Sequence, residues 1–355
     1  MPSITRRSTP PPELPPFKYA NRFDKPTFGD WRDELSTKGY HVVKGAIPHD
    51  RALEYRERAF KWLESFPLGF DRNDIATYKN EHLPVHVKGG MFHGYGFCHE
   101  DLLWDIRCEE GVVNAFAEVW GTNELITSFD GGSVMLPKRT DVMDDGKWEH
   151  MDQSCHRRGF YCCQGLVNLN YCGPEDGGLM VLEGSNQLVE EYFDTHGRDS
   201  YTSWGPFDWH GKSQLLIRDL IAHLSSGFTE EHQQWFFDRG CKWVKVCGEP
   251  GDMFLWDSRT MHFNVRPTGE RDRVCTCKYV CMAPAALLSE EDRAMRIECF
   301  EKYQGTTHVP FAAVFSRGHA AVMRDGKPCP HDTGVPKNPP VKVKKLLQLV
   351  GAERY

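Results

Sequence analysis

The chain has 355 residues, 40% hydrophobic and 26% charged, with 43 basic against 50 acidic side chains for a formal charge of −7. That is apolar surface enough for one large globular domain or two small ones, and too much for a disordered chain. Net acidity argues against a general nucleic-acid binder, which needs many Lys/Arg–phosphate contacts, and no run approaches the roughly 18 apolar residues of a membrane span.

Residues 1–25 form a Pro-rich arm, with five prolines between positions 10 and 16. Proline fixes φ and removes a donor, which predicts extended chain rather than an amphipathic transit helix. The arm has no apolar stretch of the secretory kind, so a cytoplasmic setting is the expectation. Residues 26–355 then read as a single domain. Helix is predicted over 50–66, with Leu53, Phe60 and Leu63 at helical spacing, and over 110–120, where Gly121 stands ready to cap. From 123 the texture changes to short β-type runs at 125–136, 148–153, 160–171 and 179–182, punctuated by Gly131-Gly132 and Gly177-Gly178. A polar insertion over 194–240 interrupts them, its clearest helix at 229–237 and stopped by Gly240. Strands resume at 243–246, 253–256, 261–265 and 273–281, and Ser289 opens a helix with a Ser-Glu-Glu-Asp capping pattern. A helical or extended tail follows. The expected architecture is mainly β with flanking α-helices: a jelly-roll, double-stranded β-helix barrel over about 123–282 that carries the insertion.

Thirteen cysteines, an odd number with no CxxC, indicate neither a disulfide framework nor a zinc knuckle. Several fall in strand-like runs, where free cysteine behaves as a small buried hydrophobe. Reduced thiols in a reducing compartment are expected.

The string that carries chemistry is Trp148-Glu-His150-Met-Asp152-Gln-Ser. In a strand, residues i and i+2 share a face, so His150 and Asp152 present an imidazole and a carboxylate to one point. His262, at the end of the run from Gly251-Asp252, is the candidate third ligand. Two histidines and a carboxylate on one face hold non-haem Fe(II) and leave half its coordination sphere open. HxD by itself is a common pattern, so its surroundings matter. If Pro267-Thr-Gly-Glu270 closes a hairpin, His262 pairs with Cys275 and Arg273 becomes its diagonal neighbour on the metal side, a clamp for a carboxylate. Asn168, Asn170, Ser128, Asp130 and Gln164 lie on adjoining strand-like runs as candidate substrate contacts. Each is equally suited to satisfying buried backbone. Trp256 and Phe263 are candidate pocket walls. His156-Arg157-Arg158 suits an anionic substrate but reads more simply as a solvated basic turn.

Over roughly 90–282 these motifs resemble, in order and spacing, the phytanoyl-CoA dioxygenase-like branch of the Fe(II)/2-oxoglutarate-dependent oxygenases. Glu149-His150-Met-Asp152-Gln matches the first two iron ligands, and the segment from Gly251 to His262 matches the run into the distal histidine. Gly177-Gly-Leu-Met-Val-Leu-Glu-Gly-Ser-Asn186 resembles the Gly-rich turn and following Pro-Gly-Ser-His segment, with Glu183 and Asn186 as departures. Phe92-His-Gly-Tyr-Gly and Ser128-Phe-Asp-Gly-Gly also look familial. The resemblance implies that His150, Asp152 and His262 bind Fe(II), that Arg273 anchors 2-oxoglutarate, and that O2 oxidises a C–H bond of a small molecule. Hydroxylation, desaturation and oxidative cyclisation all fit. Halogenation does not, because Asp152 fills the position that chloride would need. Two other readings stay open: a mononuclear iron oxidase, which has no use for Arg273, and a cupin-type metal-binding module, against which the intact triad argues. Nucleic-acid and membrane partners are not expected, and oligomeric state is not legible.

Overall fold

A computed structural model of the chain describes residues 17–24, 28–142, 149–197, 226–268, 275–312, 314 and 322–355. Helix α1 (Trp31–Lys38) starts at Asp30, whose carboxylate accepts from Arg32 N–H, and ends at Gly39 in the left-handed region at φ 84°. It feeds β1 (Tyr40–Val43) and then α2 (His49–Glu64), the first of the expected helices, which buries Phe60, Trp62 and Leu63. Next come β2 (Met91–Phe92), α3 (Asp101–Cys108) and α4 (Glu110–Trp120). Helix α4 stops at Gly121, φ 73°, as its position suggests.

The β-type runs resolve into two antiparallel sheets. The larger orders β1, β10 (Met253–Asp257), β6 (Cys163–Asn168), β12 (Cys275–Pro284), β4 (Gly132–Met135) and β2, with β3 (Leu125–Thr127) paired to β12. The smaller orders β8 (Ser226–Gly227), β5 (His150–Met151), β11 (His262–Val265), β7 (Gly178–Glu183) and β9 (Lys242–Lys245). Leu166, Phe254 and Trp256 of the larger sheet pack on Leu179 and Val181 of the smaller, so the sheets lie face to face. Each large apolar side chain buried there contributes about 1.5–3 kcal/mol. Asn264 Nδ2 on β11 donates across the gap to Tyr279 Oη on β12 at 2.8 Å. Outside the smaller sheet, Tyr192 and Phe193 of α5 (Ser185–His196) and Phe236 of α6 (Glu230–Phe237) cover Met151, Leu182 and Met261. Helices α7 (Glu290–Glu301) and α8 (Lys344–Val350) follow β12, with a short ribbon of β13 (Met323–Arg324) and β14 (Lys327–Pro328) between them. Ser289 caps α7 by accepting from Asp292 N–H. No described helix is long and apolar enough to cross a membrane.

The expectation of a mainly β barrel is corrected. Helix takes 33% and strand 19% of the described residues, so the molecule is mixed α/β, and among those residues the two sheets share no strand pairing that would close a barrel. Helices α1, α3 and α5 were not anticipated, while α8 falls in the expected tail. The hairpin is also corrected. His262 stands opposite His150 and Val181, while Cys275 stands opposite Met135. Strands β11 and β12 belong to different sheets and do not pair with each other. The placement of Arg273 beside His262 depended on that hairpin and does not follow from the register. Arg273 itself lies outside the described residues, as do residues 198–225 of the insertion and 1–16 of the arm. The end of the arm, 17–24, folds as turns against the body, with Phe23 buried on Phe160.

Candidate metal centre

His150 and His262 are direct cross-strand partners on β5 and β11. Their rings stand 4.3 Å apart between centroids, and Asp152, two residues past His150, reaches the same point. Its Oδ1 lies 3.4 Å from His150 Nε2, and its Oδ2 lies 3.2 Å from His262 Nε2. One ligand atom from each residue falls within 4.8 Å of the other two. Two ligands ~2.1 Å from one ion and at right angles would stand ~3 Å apart, so these separations are those of a metal's near neighbours.

The distal histidine is held by its surroundings. Nδ1–H of His262 donates to the Thr260 carbonyl at 2.9 Å, which fixes the tautomer and leaves Nε2 facing Asp152. Thr260 Oγ1 in turn donates to the Gly39 carbonyl at 2.8 Å. A Cβ on Gly39 would come within 2.3 Å of that hydroxyl, so only glycine allows the approach. Met261 N–H donates to Ser185 Oγ at 2.9 Å. The first residue of α5 therefore braces the strand that carries the ligand. Gln164 Nε2 on β6 donates to Asp152 Oδ2 at 2.8 Å and orients the carboxylate.

Burial alone would raise the Asp152 pKa, but the charges of His308 and His150 and the close approach of both ligand histidines outweigh it. The carboxyl is held well below its usual range. Burial, then the neighbouring His150, pushes His262 down toward the neutral imidazole. An ionised carboxylate and a neutral imidazole are the forms that bind a cation. The donor set, two nitrogens and one oxygen on one face, fits a mononuclear iron ion with open positions.

Of the candidate substrate contacts Asp130, Gln164, Asn168 and Asn170, Gln164 is the one the structure brings to the triad. Asn168 Nδ2 donates to the carbonyls of Asn170, Gly248 and Glu249, a clamp on loops at the other end of β6. Asn170 is half-buried on that same loop. Ser128 Oγ accepts from Cys281 N–H, and the carbonyl of buried Asp130 accepts from Arg107 and Lys278. Trp256 faces the sheet gap with its ring 5.3 Å from that of His262, whereas Phe263 points the other way onto Trp243. Sequence reasoning missed Thr260, Ser185 and His308. The first two act through backbone contacts that no side-chain pattern signals, and the third lies beyond the motifs.

Residues 35–273 match the family model described as phytanoyl-CoA dioxygenase (PhyH). The chain is 37% identical over 286 residues to "Ava biosynthesis cluster protein O" of Aspergillus versicolor, across 81% of this chain and 87% of that protein. Among solved structures it is similar in fold to a hypothetical protein JW0805 from Escherichia coli, at 14% identity and TM-score 0.52, covering 87% of this chain and 80% of that one. Another similar structure is HygX from Streptomyces hygroscopicus with nickel and 2-oxoglutarate bound, at 14% identity and TM-score 0.41, covering 72% of this chain and 86% of that one. The chain belongs to the phytanoyl-CoA dioxygenase family, a family of oxidoreductases that use Fe(II), 2-oxoglutarate and O2.

Proposed function

We propose that this member of the phytanoyl-CoA dioxygenase family oxidises a C–H bond of a small molecule, amino-acid-like or a secondary metabolite, by hydroxylation, desaturation or oxidative cyclisation. The observation that carries the reading is the convergence of His150, Asp152 and His262 on one point between the sheets. The name of the relative, a biosynthesis cluster protein, supports a small-molecule substrate. Two facing antiparallel sheets with β11 and β12 on opposite layers support a double-stranded β-helix scaffold within a single domain over 26–355. The eleven cysteines described with their side chains are all free, which suits a reducing, cytoplasmic setting.

His150, Asp152 and His262 would hold the iron, and Arg273 would pair with the far carboxylate of 2-oxoglutarate. When bound, iron and 2-oxoglutarate together supply oxidation of the C–H bond, with 2-oxoglutarate decarboxylated to succinate. The protein contributes placement. Thr260 fixes the ring of His262, Gln164 fixes the carboxylate of Asp152, and the apolar gap lined by Leu166, Phe254 and Trp256 keeps water from the closed side.

Anaerobic addition of Fe(II) and 2-oxoglutarate to purified protein tests the reading through the visible charge-transfer band of the chelate. The band is expected in the wild type, to need ~100-fold more 2-oxoglutarate in Arg273→Ala, and to vanish in His150→Ala. Tight iron binding by His150→Ala would overturn the triad. Unchanged 2-oxoglutarate affinity in Arg273→Ala would overturn the anchor.

A further inference from the structure

Two buried polar atoms on the segments that flank the metal centre have no hydrogen-bond partner among the described residues. Nε2 of His308, on the segment after α7, is shielded from solvent and meets no hydrogen-bond partner. The same holds for Nε of Arg157, on the turn that follows Asp152. Burying such an atom without a partner forfeits its hydration with no bond in return. Both segments are nonetheless firmly held. Thr306 Oγ1 accepts from Phe129 N–H at 3.1 Å, and the Pro310 carbonyl accepts from Arg296 Nη1 at 3.0 Å, so His308 is pinned from both sides. The Arg157 turn is closed by Arg157 N–H to the Ser154 carbonyl at 3.0 Å and by Gln153 Nε2 to the Gly159 carbonyl at 2.9 Å.

Aromatic packing joins the two segments. The Arg157 guanidinium lies over the Tyr161 ring, 3.9 Å from its centroid, and Tyr161 packs on Phe311 at 5.1 Å, three residues past His308. His308 lies close enough to Asp152 for its charge to act on that carboxylate. The charge balance of the turn is uneven. Arg158 pairs with Glu190 and Asp194 at 3.1 and 2.5 Å, whereas Arg157 meets no carboxylate among the described residues. A half-buried guanidinium that cannot lose its proton, with no counter-ion, is a site for an anion.

We propose that Arg157 and His308 form the substrate-recognition pair of this metal centre and that the organic substrate carries a carboxylate, bound by the Arg157 guanidinium and the Nε2–H of His308. This rests on the oxygenase reading above and adds a substrate class to it. The pair belongs to two segments that the triad does not use, one immediately after Asp152 and one beyond the residues matched by the family model. A carboxylate between them would satisfy both orphaned atoms and the unbalanced charge in one contact. The bound molecule would then reach the open face of the iron from the side of Asp152.

The test uses matched probes, 3-phenylpropionate and its uncharged amide, added anaerobically to protein loaded with Fe(II) and saturating 2-oxoglutarate. The carboxylate is expected to perturb the charge-transfer band at ~10-fold lower concentration than the amide. Arg157→Gln and His308→Asn are each expected to remove that preference, and Arg157→Lys to keep part of it. The band itself, which depends on the triad, shows that each variant is folded and loaded. Equal effects of acid and amide on the wild type, or a preference that survives in Arg157→Gln, would overturn the proposal. So would a fall in 2-oxoglutarate affinity in Arg157→Gln with the probe preference intact, which would assign the pair to the co-substrate. No band in the wild type would overturn the oxygenase reading itself, a failure seen before any probe is added.

Discussion

Buried polar side chains occupy two regions of this molecule and are treated in opposite ways. Where α7 and α8 meet the body, Arg296 is fully buried and donates to the carbonyls of Val350, Pro310, Thr127 and Leu349 at 2.9, 3.0, 2.7 and 3.0 Å. Burial lowers its pKa to about 9, yet it remains a cation at neutral pH and forms no ion pair among the described residues. Glu100 likewise accepts from Trp62 Nε1, Lys337 N–H and Asn338 N–H. Between the sheets, by contrast, His150, Asp152 and His262 turn their lone pairs toward one another, and the indole N–H of Trp256 meets no partner among the described residues. Burial therefore does not mark a functional group in this chain. The mark is a set of electron donors aimed at one another, where a structural polar group is aimed at backbone.

The contrast can be broken most forcefully at Arg296. Arg296→Met leaves four carbonyls without their donor and is expected to destabilise the fold by about 3–5 kcal/mol, read by denaturant unfolding. A variant of normal stability with weakened iron binding would show that Arg296 belongs to the metal region after all. A smaller effect is expected from Gln164→Leu, which removes the hydrogen bond to Asp152 and keeps the volume. Iron affinity should fall about 10- to 100-fold in anaerobic titration with little change in stability. The reverse pattern, lost stability and full affinity, would move Gln164 to the structural set.

The metal region was the more legible of the two. An HxD pair in extended chain commits two side chains to one face whatever the strand pairs with, and although β5 ends at Met151, Asp152 still reaches the point that His150 faces. Pairing partners were not legible, because spacing alone cannot tell a hairpin from a crossing between facing sheets. The Cys275 register failed for that reason. Asn168 had the correct parity for the sheet gap, but its amide meets loop carbonyls at the end of β6 that no local pattern announces. Helix α5 was hidden by its start, since Gly184-Ser185-Asn186 reads as a loop until Ser185 is seen accepting from Met261 N–H. Arg296 and His99 gave no signal at all, because a lone polar residue among apolar ones is defined only by the carbonyls that tertiary packing brings to it.

The finest distinction between the regions concerns their histidines. Trp104 Nε1 can only donate, and it donates to His99 Nδ1 at 3.2 Å, so the proton of His99 sits on Nε2 and goes to the Gln304 carbonyl at 3.0 Å. A second proton would face the indole N–H. Burial pushes His99 down to about 3, and it pushes His86 down to about 4. An unfolded histidine titrates near 6.5. Above about pH 6.5 both states are neutral and the full stability is present. As pH falls below that, the unfolded chain binds a proton that the folded chain refuses, so stability declines until the folded values near 3 to 4 are reached. Each such histidine is expected to take away about 1–2 kcal/mol by pH 5. His99→Gln, which keeps one donor and one acceptor, should reduce the acid slope of unfolding by about one proton. The measurement is made in excess chelator, where loss of metal from His150 and His262 cannot contribute. A slope that depends on iron and ignores His99→Gln would place acid sensitivity in the metal centre and erase this difference between the regions.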